Sequence, residues 1–243
     1  MKKTGYTKLA VVFLIIAAGI WASIPAGATT INVNSYPGLN GIGVTGYNGS
    51  AGEFQLGINS ASNNSVAYCV DFSKVVSVGA SYTNYSLLPA SSQSISYQLG
   101  AWIMNQYSPG LGHNSWYGAA SIDTARAAVQ FAVWEVTNET QGSSIYSLSN
   151  GNFIATADPN GGLTTDLANS ILQQMYTSLY LDGHYYVDPG SISNVSLAHS
   201  SSNQDFLTSQ VPEPQSALLL LVGLAGTGLF RRFRRAGTSE CRA

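Results

Sequence analysis

Ser121–Asn138 reads SIDTARAAVQFAVWEVTN. Ile122, Ala125, Val129, Ala132, Val133 and Val136 recur near the 3.6-residue period of an α-helix. Ala127, Phe131 and Trp134 make a second apolar face. A helix that is apolar nearly all round is a buried helix. Ser121 or Asp123 is placed to cap its N-terminus. One residue does not belong: Gln130 lies between the two apolar faces. A buried amide without partners costs about 1–3 kcal/mol. Gln130 is therefore hydrogen-bonded, or its amide has been consumed.

Outward from this helix the pattern repeats and then changes. Ile95, Leu99, Trp102, Ile103 and Gln106 predict a helix over Ser91–Tyr107. Leu167, Ile171, Leu172, Met175 and Leu179 predict another over Leu163–Leu181. Before the helices the period is two. Thr30–Asn34, Ile42–Val44, Glu53–Ile58 and the run SVAYCVDF at Ser65–Phe72 read as strands joined by glycine turns. In the last of these Ala67, Cys69 and Asp71 share a face. Tyr185–Val187 and Ile192–Ala198 return to strand, and Ser200–Gln210 reads as a polar linker. Strands, helices, then strands again predict an α+β chain, a β-sandwich with an inserted helical subdomain.

The two ends carry addresses. Lys2, Lys3 and Lys8, the apolar run Leu9–Trp21 and the small-residue site Ala26-Gly27-Ala28 make up residues 1–28 as a secretory signal peptide. The run is shorter than the ~20 apolar residues of a spanning helix. At the other end Val211-Pro212-Glu213-Pro214 precedes an apolar stretch. Arg231, Arg232, Arg234 and Arg235 follow it. Prolines block a helix on their N-side. Arginines after an apolar segment hold that end in the cytoplasm. This divides the rest of the chain into a domain at 29–206, a linker at 207–215, a transmembrane sorting segment at 216–235 and a cytoplasmic tail at 236–243. The order of motif, apolar segment and basic cluster resembles the PEP-CTERM sorting signal. The resemblance implies export by a Gram-negative-type bacterium. It further implies retention in the inner membrane, cleavage near Pro-Glu-Pro by an exosortase-type enzyme, and delivery to a polysaccharide-producing envelope. The tail past the arginines is longer than that pattern expects.

Charge is divided unevenly. The whole chain has a formal net charge of −2. Between Thr29 and Gln210 two basic residues, Lys74 and Arg126, face ten acidic ones, a net of −8. Such a domain does not bind nucleic acid, which needs lysine and arginine to neutralise phosphate. His113, His184 and His199 have no metal-ligand spacing, and no cofactor motif occurs. His113, in a loop between two predicted helices, is the one histidine to test as a base.

The chain has two cysteines, Cys69 and Cys241. Cys241 lies beyond the arginine cluster and cannot meet Cys69. A single cysteine in an exported domain is either a buried, inert thiol or one with a covalent use. A cysteine thiol beside a glutamine amide can displace ammonia to give an internal thioester. Here the residues reach a second resemblance. Tyr68-Cys69-Val70-Asp71 and Val129-Gln130-Phe131-Ala132-Val133-Trp134 are similar to the two signatures of bacterial thioester domains. The resemblance implies that Cys69 and Gln130 are the cross-linked pair. It also implies a β-sandwich with a helical insert, and covalent attachment to an amine- or hydroxyl-bearing surface partner, as in adhesin tips. The known members are chiefly wall-anchored proteins of Gram-positive bacteria, a different context from a sorting tail.

Such a protein reacts once and is a reagent, not an enzyme. The alternative is a non-covalent matrix or carbohydrate-binding module using the tyrosines with Trp102, Trp116 and Trp134 as platforms. A hydrolase is disfavoured: G-x-S-x-G, a recognisable carboxylate pair and a metal cluster are all missing from the sequence.

Overall fold

The computed structural model describes residues 29–59, 64–71, 74–139 and 146–209. The expected signal peptide, the Pro-Glu-Pro motif, the apolar sorting segment and its arginines lie outside them. No helix among the described residues is long and apolar enough to cross a membrane.

Six strands close a barrel in the order β1-β4-β5-β11-β10-β6. They are β1 (Thr29–Ser35), β4 (Phe54–Ile58), β5 (Ser65–Cys69), β6 (Ser81–Pro89), β10 (Ser196–His199) and β11 (Phe206–Thr208). The expected two-layer sandwich is thus a closed barrel. The reason lies in β1, which pairs on both edges: Ile31 sits opposite Ile58 of β4 and opposite Tyr82 of β6. Alternation of apolar and polar residues is the same in a sandwich and a barrel; only the pairing of the edges differs.

Two of these strands were not expected. β6 is mostly exposed and polar, so its sequence has no apolar period. β11 lies inside the stretch read as a linker, yet its three residues are all buried. Its polar neighbours conceal it. Phe206 pairs with Cys69 and Ala198, so the segment at 200–209 completes the barrel.

Between β6 and β10 the chain builds the helical insert: α1 (Ile95–Tyr107), α2 (Ile122–Asn138) and α3 (Leu163–Leu179). The side chain of Ser121 accepts from Thr124 N, which settles the cap of α2. Asp158 does the same work for α3, accepting from Thr165 N at 3.0 Å. A second sheet, β2 (Gly38–Val44), β3 (Tyr47–Gly52) and β7 (Ala155–Ala157), lies in the order β3-β2-β7. A two-stranded hairpin, β8 (Tyr180–Leu181) with β9 (His184–Tyr185), follows α3. Helix α2 packs against α1, α3, β2, β3 and β5. Twelve of its residues are buried, as an all-round apolar helix requires. Gly100 lets α1 come close to the barrel: a Cβ there would lie 2.8 Å from Leu207 Cδ1.

Candidate functional site

Strand β5 ends at Cys69, and its neighbour β4 stops short of it. The pairing of the two begins with Phe54 opposite Ala67. On the other edge, Val70 N donates to Asp205 O of the β11 side at 3.1 Å. Cys69 therefore has backbone groups on the edge that β4 leaves open, and a buried strand end must find partners for them.

Helix α2 supplies those partners. Cys69 N donates to Gln130 Oε1 at 3.1 Å, and Gln130 Nε2 donates to Cys69 O at 2.7 Å. One turn on, Trp134 Nε1 donates to Cys69 Sγ at 3.1 Å. A further turn on, Asn138 Nδ2 donates to Val70 O at 3.0 Å. One stripe of the helix is bonded to the last residue of the strand and to the residue after it. Gln130 is fully buried, and Cys69 and Trp134 are nearly so. The odd glutamine of the apolar helix is thus paired, with its carboxamide against the cysteine from which 61 residues separate it.

Electrostatics favour a protonated sulfur. Burial pushes the Cys69 thiol well above its ordinary value, and nearby Asp71 pushes the same way. The Trp134 hydrogen bond opposes both. Around Trp134 stand Tyr47, Phe153 and Phe131, with ring centroids 5.8, 6.0 and 6.3 Å away. Cys69 also lines a cavity of about 220 Å³ together with Tyr36, Tyr47, Phe54, Trp134 and Gln204. Lys74, Val75 and Val78 line the same cavity. His113 is not among the lining residues. Lys74 Nζ lies 3.4 Å from Asp71 Oδ2 and donates to Asn203 O at 3.2 Å.

A second cluster escaped the sequence reading. Glu53 is fully buried between β3 and β4. Its Oε2 accepts from Tyr68 Oη at 3.1 Å, Ser108 Oγ at 2.9 Å and Gly110 N at 2.9 Å. Its Oε1 accepts from Gln55 Nε2 at 2.8 Å and faces Arg126 Nε at 3.8 Å. Arg126 also binds Asp123, one turn before it on α2, at 3.0 Å. The available signal was a lone glutamate between Gly52 and Phe54 in a chain with only 9% charged residues. Its consequence is local: the neighbour of Cys69 in β5, Tyr68, is held by this carboxylate. Among the described residues no group of three or more His, Cys, Asp or Glu is arranged to hold a metal ion.

Residues 66–177 match the thioester domain family model, and residues 210–235 match the PEP-CTERM protein-sorting motif. The chain carries a thioester domain. Cys69 and Gln130 both fall within the matched span. Two solved structures are similar to this thioester domain. The N-terminal domain of the pilus tip adhesin Cpa of Streptococcus pyogenes is 15% identical. The match covers 79% of this chain and 97% of that one, at a TM-score of 0.45. The N-terminal thioester domain of the fibronectin-binding protein SfbI from Streptococcus pyogenes is 14% identical. Here 78% and 100% of the two chains are covered, at a TM-score of 0.41. No curated protein matches. The sorting motif marks an exported cell-envelope protein that is processed at the membrane.

Proposed function

We propose that Cys69 and Gln130 form an internal thioester through which the protein attaches covalently, once, to an amine- or hydroxyl-bearing partner on a surface. The observation that carries this reading is the placement of the Gln130 carboxamide on the backbone of Cys69, at 3.1 and 2.7 Å, inside a buried core.

The chemistry follows from the groups present. To form the bond, Sγ of Cys69 attacks Cδ of Gln130, and Nε2 leaves as ammonia with the thiol proton. Negative charge develops on Oε1, where the Cys69 N–H already points; a fixed N–H at a developing oxyanion lowers such a barrier. To open it, the nitrogen of an incoming amine bonds to Cδ and the Cδ–Sγ bond breaks. The amine proton ends on sulfur, leaving an amide and a free thiol. Sulfur leaves more readily when a donor receives its charge, and the Trp134 indole N–H is in place to do so. The surrounding aromatic rings keep water from an acyl group that it would hydrolyse. The protein is then a single-turnover reagent. Processing by an exosortase-type enzyme would follow from the sorting motif.

The test is the intact mass of the exported chain beside Cys69→Ala and Gln130→Ala. The wild type is expected one ammonia lighter than its sequence, and to gain one methylamine on incubation; both variants have full mass and do not react. A wild type of full mass with a titratable thiol would sink the proposal. The non-covalent alternative then rests on the partly buried Trp116 and on Tyr36 and Tyr47 of the cavity, because Trp102 and Trp134 are interior and offer no platform.

A further inference from the structure

The mouth of the Cys69 cavity carries apolar side chains that the fold itself does not use. Val75 is 80% exposed and Val78 57% exposed, and both line the cavity that Cys69 also lines. They are two of the six large exposed hydrophobics among the described residues. Isolated exposed valines are common; paired ones at the entrance of a reactive cavity mark a contact surface.

The segment that presents them is fixed at both ends. Lys74 is tied to Asp71 and to Asn203 O. Ser77 N donates to Tyr82 Oη at 2.9 Å, Gly79 N to Val33 O at 2.7 Å, and Val33 N to Ala80 O at 3.0 Å. Between these anchors Val76 packs on the core, and Val75 and Val78 are held outward.

We infer that residues 74–80 are a docking rim for a basic polypeptide, which seats apolar residues on Val75 and Val78 and delivers a neighbouring lysine to the Cys69–Gln130 site. The choice of occupant comes from charge and from the chemistry of the rim. The net charge of −8 across Thr29–Gln210 attracts a cationic chain at long range. The one lysine at the mouth is neutralised by Asp71. An aliphatic rim suits the side chains of a peptide. A glycan would instead leave its hydroxyls against valine without partners, which disfavours it. The delivery step rests on the thioester reading; the docking itself does not.

The experiment uses the full exported chain, three amine probes and one glycan. These are methylamine, a peptide Arg-Leu-Lys-Val-Arg with blocked ends, and its polar counterpart Arg-Ser-Lys-Ser-Arg. A glucosamine oligomer stands for the glycan. The apolar-flanked peptide is expected to couple at least tenfold faster than the polar-flanked one. In Val75→Ser/Val78→Ser, the ratio of apolar-peptide rate to methylamine rate falls at least fivefold. The same peptide preference is expected in equilibrium binding to the Cys69→Ala chain, measured by fluorescence anisotropy, where no bond forms. Equal treatment of the two peptides there overturns the rim, whatever methylamine does. So does stronger binding of the glucosamine oligomer. A wild type inert to methylamine whose Cys69→Ala chain still prefers the apolar peptide keeps the rim and removes the thioester.

Discussion

The indole N–H of Trp134 lies 3.1 Å from the sulfur of Cys69, and Trp134 is one helical turn beyond Gln130 on α2. In the proposed thioester a single helix thereby presents both the acyl carbon and a donor for the sulfur that must leave it. A hydrogen bond to a charged group is worth about 1.5–3 kcal/mol. That corresponds to roughly 10- to 150-fold in rate if it is felt only as the thiolate departs. Trp134→Phe retains a ring among Tyr47, Phe131 and Phe153 and removes the N–H alone. Its aminolysis by methylamine is expected to slow by that factor, while circular dichroism and the ammonia-loss mass, given time, match the wild type. An unchanged rate would assign Trp134 to packing only.

The thiol itself provides a second measurement. In Gln130→Ala the sulfur is free, but burial still pushes its pKa up, so little thiolate forms near neutral pH. Since the thiolate is the nucleophile, iodoacetamide at pH 8 is expected to label the folded variant at least ~100-fold more slowly than the same chain in guanidinium. Equal labelling in the two states would show that Cys69 is not held in the dry position described.

Sequence and structure agree best where a residue contradicts its surroundings. Gln130 in an apolar helix and a lone Cys69 on a strand were visible as anomalies, and the fold brings both together. The three helices were legible because each sustains its apolar period over a dozen or more residues. β11 was not, since three buried residues are too few to show a period. Barrel closure depends on which strand edges meet, which local pattern does not encode. Glu53 escaped for a related reason: the five groups around its carboxylate come from four stretches of the chain, at Gln55, Tyr68, Ser108–Gly110 and Arg126.

That dispersal makes Glu53 a sensitive point. Removing one partner of a buried ion pair costs about 3–5 kcal/mol, because the remaining charge has no water to turn to. Glu53→Ala takes the buried acceptor from Gly110 N and Gln55 Nε2 and leaves Arg126 with Asp123 alone, and is expected to lower stability by about that amount in urea melts. Glu53→Gln keeps the acceptor and is expected to lose less. Because Tyr68 adjoins Cys69, the fraction of chains lighter by one ammonia should fall in Glu53→Ala, measured on the folded fraction after gel filtration. A variant as stable as the wild type would show the cluster to be dispensable.

Glu135 gives the pH dependence. It is 1% exposed on α2; its Oε1 accepts from Ser147 N at 2.8 Å, while Oε2 has no partner among the described residues. Burial raises its pKa to about 8, with Glu139 adding to the rise and the Ser147 bond opposing it. The folded carboxyl therefore holds its proton up to about pH 8, while the unfolded one releases it near its ordinary value of 4.5. Between those values the folded state binds more protons, so stability falls as pH rises. The contribution is fully present below pH 4.5 and lost on passing through about pH 8. Glu135→Gln keeps the neutral shape and removes the titration. Its melting temperature is expected to change less than that of the wild type between pH 5 and 8, each kcal/mol of difference appearing as roughly 2–4 °C in a domain of this size. The measurement is a thermal melt at several pH values for both chains. Parallel curves would mean that Glu135 is already ionised in the fold, with its second oxygen solvated.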